Sequence, residues 1–269
     1  MYYRRIYGGF LVTDSPETTA ADYTEFAVTV PTDPRLPTSG GHLIVVDVNP
    51  VLTSGRPFNI VTNRTTFASD FGSQREHWDG FDVTGDWRLQ GGAKVQGGVT
   101  FGKGMTDNCE IVAALPETLG STPKEFCHQT TGWEPNYKTL ASYILPWQDV
   151  RISGFFISTP GPGTLANVIY SSASLVPALG RPLSGGGNKT VSVISPRTIY
   201  GDRRNQFDLR FSKIFRVGSG RTLDANFDLY NAFNSDAVTS ESATYGATWR
   251  RPTVVLQGRI VKFGMWLSF

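Results

Sequence analysis

The residues of this chain best suited to redox, metal or proton-transfer chemistry are two cysteines, Cys109 and Cys127, and three histidines, His42, His77 and His128. The histidines are scattered. His128 adjoins Cys127, but a metal site would need more ligands nearby than the sequence supplies there. In an oxidising, cell-surface setting a lone pair of cysteines is most simply a disulfide, whereas in a reducing one both stay thiols. No G-x-S-x-G, H-E-x-x-H or Walker-type phosphate loop occurs. Ser184-Gly185-Gly186-Gly187-Asn188 lacks the Lys-Ser/Thr that completes a phosphate loop and reads as a flexible loop; Pro160-Gly161-Pro162-Gly163 reads as a turn. No nucleophile–base pair stands out, so the chain is not expected to be an enzyme and no cofactor is expected.

The second chemistry-bearing pattern is charge at period two. Asp82, Asp86 and Arg88 alternate with Phe81, Val83 and Trp87. Asp208 and Arg210 alternate with Phe207, Leu209 and Phe211, and Asp224, Asn226 and Asp228 alternate with Leu223, Phe227 and Leu229. Such rows put charge on one side of a sheet and hydrocarbon on the other. The polar side would either contact a solute or form a hydrogen-bonded ladder that keeps a wide interior wet. For most single residues the ladder is the simpler role. Asp208, Arg210, Asp224 and Asp228 fall on adjacent strands, where opposite charges can pair.

Strands must position those rows, and the composition suits them. The 269 residues include 29 Gly and 16 Pro, with 12% aromatic and 18% charged residues; that is strand-and-turn material rather than helix material. Mean hydropathy is slightly negative, and no run approaches the length of a membrane helix. Strands that alternate lipid-facing and interior-facing residues look equally soluble by that measure. The net charge of +2 names no partner, and nucleic acid is not expected.

Two kinds of connector alternate along the chain. Tight turns sit at Leu89-Gln90-Gly91-Gly92, Pro146-Trp147-Gln148-Asp149 and Val217-Gly218-Ser219-Gly220. Long connectors rich in Pro, Gly, Ser, Thr and Asn cover roughly 14–74, 108–135, 159–203 and 233–252. A compact soluble domain rarely needs several such loops, whereas an outer-membrane barrel has short turns at one end and long loops at the other. The spacing predicts an all-β antiparallel meander of about eight strands near 2–13, 75–89, 92–107, 136–145, 149–158, 204–216, 220–232 and 253–269. Strand four alternates weakly. His42-Leu43-Ile44-Val45-Val46-Asp47-Val48, inside the first long connector, suits a loop hairpin or a further wall strand. Trp78, Trp87, Trp147, Phe215 and Phe269 lie near strand ends, as interfacial aromatic girdles require.

The chain ends on Lys262-Phe263-Gly264-Met265-Trp266-Leu267-Ser268-Phe269. With polar Lys262, then Gly264, Leu267 and terminal Phe269, this resembles the C-terminal assembly signal of bacterial outer-membrane barrels. Ile199-Tyr200-Gly201-Asp202-Arg203, the run Asp228-Leu229-Tyr230-Asn231-Ala232-Phe233-Asn234 and Tyr245-Gly246-Ala247-Thr248-Trp249-Arg250-Arg251-Pro252 resemble the C-terminal barrel of TonB-dependent outer-membrane receptors, in particular the Oar-like, carboxypeptidase-regulatory-like type. Asp33-Pro34-Arg35-Leu36-Pro37 and Thr106-Asp107-Asn108-Cys109 look like the same group.

The resemblance implies a partial transmembrane barrel in the bacterial outer membrane. Its partners would be outer-membrane lipid, the barrel-assembly machinery, an N-terminal barrel section with a plug, the TonB system acting through that plug, and a large scarce solute of unknown identity. Met1 to Tyr7 carries charge but no apolar export segment, so the chain is expected to be a section of a longer frame. Eight strands enclose an interior just wide enough for side chains, and this many interior charges would each need a partner. The sheet is therefore expected to stay open, with strands one and eight as free edges. The rival readings are a self-contained small barrel with a structural or adhesion role and a soluble carbohydrate-binding β-sandwich.

Overall fold

The computed structural model describes residues 1–50, 62–218 and 220–269. Eight strands pair in chain order into one antiparallel sheet: β1 (Tyr2–Tyr7), β2 (Arg75–Arg88), β3 (Lys94–Asp107), β4 (Glu134–Leu145), β5 (Val150–Thr159), β6 (Arg204–Arg216), β7 (Thr222–Tyr230) and β8 (Ile260–Ser268). A short strand, His128–Thr130, adds to the loop end of β3. β1 and β8 end the strand order and do not pair with each other, so the sheet is open.

The tight turns form where the sequence places them. Gly91 and Gly92 take φ of 88° and 89°, which β-carbon-bearing residues avoid, and Leu89 N–H donates to Ala93 O at 2.8 Å. Gln148 N–H donates to Leu145 O at 3.3 Å in the second turn. In the third, Val217 N–H donates to Arg221 O at 2.9 Å; Ser219 lies outside the described residues.

Two strands are shorter than the periodicity predicts. The expected first strand, 2–13, breaks after Tyr7 at Gly8-Gly9, where Gly9 has φ 71°. The chain then re-pairs as a separate hairpin, Leu11–Asp14 with Arg64–Phe67. The expected last strand, 253–269, divides. Pro252–Val255 pairs instead with Val238–Glu241, and the main sheet resumes at Ile260. The reason is side-chain competition for backbone groups: Asn231 Nδ2 donates to Gln257 O at 2.9 Å, and Asn234 Oδ1 accepts from Arg259 N–H at 2.9 Å. These bonds take the ladder positions at 257 and 259.

The long connectors carry structure of their own. His42–Val48 pairs with Tyr23–Thr29 as a loop hairpin and adds no strand to the main sheet. In the third connector Asn167–Ser171 pairs with Asn188–Ser192. Helix α1 (Cys109–Ala114) lies in the second connector and α2 (Ser172–Leu179) in the third. The glycine run at 184–187 is a defined turn rather than a free loop: Gly186 N–H donates to Leu183 O at 3.0 Å, and Ser184 Oγ–H donates to Asp47 Oδ1 at 2.9 Å.

Burial is distributed in an unusual way. Among the described residues the three buried hydrophobic clusters all lie in the connectors. The largest joins Val28 and Val45 of the first, Leu175 and Val191 of the third and Trp249 of the fourth. Val46 meets Val112 and Leu119, and Ala68 meets Ile111 and Leu115, which ties the second connector to the first. In the eight strands of the main sheet the buried residues are Gly80, Gly102, Ser158, Ser212 and Asp228; no hydrophobic side chain there is buried. The four connectors thus fold together as a cap with a core, over a sheet that has none.

Candidate functional site

The register assigns every strand residue to a face. Phe211 pairs with Phe227, which pairs with Phe263. Leu209, Leu229 and Val261 make the next row, and Phe215, Leu223 and Leu267 another. Phe207 opposes Phe156, and Met265 opposes Ala225 in the same phase. On the other flank Tyr2, Phe81 and Phe101 are cross-strand neighbours, with ring centroids 5.2 and 5.5 Å apart. These residues form one apolar belt across the sheet, and each is exposed or half-buried: Phe263 and Met265 are each 78% accessible. From Phe207 to Phe215 the belt runs about 27 Å along the strand at about 3.4 Å per residue, broken at Lys213, whose Nζ reaches to Gln148 O in the second tight turn. With a strand tilt near 40° that is about 20 Å of height, close to the lipid-facing band of outer-membrane barrels.

The opposite face collects the polar row. Asp82, Asp86 and Arg88 of β2 share it with Asp208 and Arg210 of β6 and Asp224, Asn226 and Asp228 of β7. Arg210 and Asp228 are direct cross-strand partners and form a two-pronged pair, Nε–Oδ1 2.5 Å and Nη2–Oδ2 3.0 Å. Asp224 lies 3.8 Å from Arg151 on β5. Ser212 Oγ–H donates to Asn226 Oδ1 at 2.5 Å. Asp208 stays apart from Arg210; it accepts from Gln206 Nε2 at 3.0 Å and from Asn231 N–H at 2.8 Å. Asp86 stands opposite Gln96, and Arg88 opposite Lys94. Asp82 Oδ1 is buried without a hydrogen-bond partner. A cavity of about 670 Å³ lies on this polar face, lined from β2 to β6, so the sheet curls toward the polar side.

Of the terminal residues, Lys262 and Gly264 face the polar side opposite Asp228 and Asn226; Leu267 joins the belt, and Phe269 is 96% exposed just past β8. Trp87 and Phe215 lie on the belt side toward the tight turns. Trp78 does not join them. It occupies the polar face and lies across Gly80 and Gly102, where an added β-carbon would fall 1.8 and 2.0 Å from its ring. The two glycines make a slot for the indole, and the Tyr3 ring of β1 packs against it with centroids 5.0 Å apart.

Above the sheet the cap is pinned by contacts between connectors. Cys109 and Cys127 form a disulfide with Cα atoms 4.8 Å apart, and Asn108 N–H donates to Cys127 O at 3.0 Å. Asp33 holds Arg35 at 2.9 and 2.6 Å, and the Arg35 guanidinium lies 4.7 Å above the Trp249 ring. Tyr245 O–H donates to Asp33 Oδ2 at 3.1 Å, and Trp249 Nε1–H donates to Leu165 O at 2.8 Å. The Arg35 guanidinium, through its hydrogen bond, holds the Asp33 carboxyl well below the usual carboxylate range. Trp249 is 7% exposed, so this ring clamps the first connector to the fourth and does not offer its face to solvent. Arg181 Nη1 donates to Asp47 Oδ2 at 2.6 Å, joining the third connector to the first. Burial pushes the Tyr200 phenol up and draws the Lys189 ammonium down. No group of three or more His, Cys, Asp or Glu side chains spaced to hold a metal occurs among the described residues.

Sequence reasoning missed Asn231 and Asn234 as structural residues. Both take left-handed backbone, with φ of 50° and 53°, and turn the chain out of β7. The signal was present, since Asn is the side-chain-bearing residue best tolerated there. No protein-family model matches the chain, and a search of curated proteins finds no match.

Proposed function

We propose that this chain is a section of an outer-membrane β-barrel wall with its surface loops, the C-terminal part of a TonB-dependent transporter of the Oar-like type that imports a large, scarce solute. One observation carries the membrane part of the reading. A sheet with an in-phase apolar belt along one face, interrupted by charge near the strand ends at Arg4, Asp79, Lys103 and Lys213, buries no hydrophobic side chain in any of its eight strands. In water such a face would have to be covered; in a bilayer lipid covers it, and the polar face lines an aqueous interior. The paired charges on the polar face, Arg210 with Asp228 and Arg151 with Asp224, serve as wall, keeping the interior wet at little cost. The open edges favour a wall completed by further strands over a self-contained small barrel, and among the described residues no second sheet covers the belt as a sandwich would require. The TonB assignment rests on the sequence resemblance together with this architecture.

The test is cellular. Expressed behind a bacterial export signal with the remainder of its reading frame, the protein should sediment with outer membranes and be released by detergent but not by salt or alkali. Recovery in the soluble periplasmic fraction would refute the membrane reading. An upstream frame without a plug domain would refute the transporter reading while leaving the wall intact.

A further inference from the structure

The polar face is not uniformly polar. In its middle, Leu140 of β4 and Phe155 of β5 are cross-strand partners, and Ile157 stands two residues along from Phe155. These three apolar side chains line the 670 Å³ cavity. Leu140 is also one reason that β4 alternates weakly. A water-filled wall has no need of hydrocarbon at its centre, and a hydrophobic floor there costs free energy until something apolar covers it.

Two cations flank that floor. Lys138 opposes Ile157 from β4, and Arg204 opposes Thr159 from β6. The two strands are two spacings apart, about 10 Å across β5. Neither cation has a carboxylate partner among the described residues, and no Asp or Glu lines the cavity. Arg204 Nε–H is buried with no acceptor. Elsewhere on the same face the sequence supplies counter-charge, as at Arg210–Asp228 and Arg151–Asp224. Gln96 and Asn136 add amide donors at the rim.

An apolar floor between two unmatched cations is complementary to one kind of molecule. We propose that this cavity binds an amphipathic anion, a solute with carboxylate or phosphate groups set on an apolar body. The body lies over Leu140, Phe155 and Ile157, and the anionic groups face Lys138 and Arg204. The volume is within the usual range for small-molecule sites, about 300–1,000 Å³. The inference rests on the polar face being an accessible interior wall, and it names the chemical class of the solute for the proposed transporter.

The test uses fluorescein, a dianion on a rigid aromatic body, and the full chain folded in zwitterionic detergent micelles, with anisotropy as the readout. Binding should saturate and weaken as sodium chloride is raised. Lys138→Gln and Arg204→Gln should each weaken it about tenfold or more, the scale of one charge-assisted hydrogen bond. Leu140→Asp should do the same by placing a like charge on the floor. Arg88→Gln, a cation on the same face outside the cavity, should change affinity less than about twofold. Equal loss in Arg88→Gln, or unchanged binding in both cavity variants, would overturn the proposal. So would displacement of fluorescein by a hexaglutamate peptide but not by benzenetricarboxylate, which would make the occupant an acidic protein segment. Circular dichroism and detergent binding are read on each variant. A chain that is a detergent-free soluble monomer removes the membrane reading itself; a folded, detergent-bound chain that fails the cavity test removes the cavity alone.

Discussion

Removing Arg210 should destabilise the sheet more than removing Arg210 and Asp228 together. Asp228 is 3% exposed, and its carboxylate is held by both prongs of the guanidinium. Arg210→Ala leaves that carboxylate with no guanidinium, only the Tyr230 hydroxyl at 3.5 Å and the more distant charge of Lys262 on β8. Breaking a fully buried pair costs about 3–5 kcal/mol. Arg210 itself is half exposed, so solvent already screens part of the attraction and the expected cost falls to about 2–3 kcal/mol. In Arg210→Ala/Asp228→Ala no charge is left buried, and the loss should shrink to about 1 kcal/mol, the packing and hydrogen-bond remainder. The assay is urea unfolding of the chain in detergent micelles, followed by circular dichroism for wild type, both single variants and the double variant. The cycle should return a coupling of about 1.5–2 kcal/mol. Additive losses would show that the two side chains act independently and would refute the pairing.

Three further outcomes are expected. Cys109→Ser/Cys127→Ser opens a crosslink with a sequence separation of 18. It should cost the cap about 3 kcal/mol by loop entropy, read as faster tryptic cleavage at Lys124 with the β-sheet circular dichroism unchanged; equal protease resistance would contradict it. Burial pushes the Tyr170 phenol up to about 12, and its O–H donates to Thr29 O at 2.8 Å. The folded cap favours the neutral phenol, so this contribution is fully present below about pH 10 and is lost as pH rises through 12. A thermal melt of the cap that is flat from pH 9.5 to 12, or that Tyr170→Phe leaves equally alkali-sensitive, would argue against it. Gly102→Val should expel the Trp78 ring from its slot and cost about 1–3 kcal/mol by overpacking, visible as a red-shifted indole emission; an unshifted spectrum would mean the slot is not filled as described.

The main sheet was legible because alternation is local. Phe207, Leu209 and Phe211 against Asp208 and Arg210 show their two faces within five residues, and Gly91-Gly92 announces its turn in the same window. Strand ends were less legible. Nothing in the periodicity of 253–269 shows that Asn231 and Asn234, more than twenty residues earlier, take the backbone groups at 257 and 259. The cap was hidden for the same reason on a larger scale. Arg35 and Trp249, or Arg181 and Asp47, are over a hundred residues apart, and Pro- and Gly-rich connectors give no sign that their few valines and leucines share one core. Trp78 misled because a tryptophan near a strand end suggests a girdle; its phase with Asp82 already places it on the polar face, and the glycines at 80 and 102 make the room for it there.

Spin labelling measures directly whether the belt faces lipid while the alternate residues face water. Single cysteines for nitroxide attachment would replace Leu209, Phe211, Phe227 and Phe263 on the belt, and Gln206, Asp224 and Lys262 on the polar face, in protein reconstituted into phospholipid vesicles. The account predicts that accessibility to oxygen dissolved in lipid is high at the first set, and accessibility to an aqueous nickel complex is high at the second, alternating residue by residue along β6 to β8. Belt labels that see the nickel complex as readily as the polar-face labels do would contradict it.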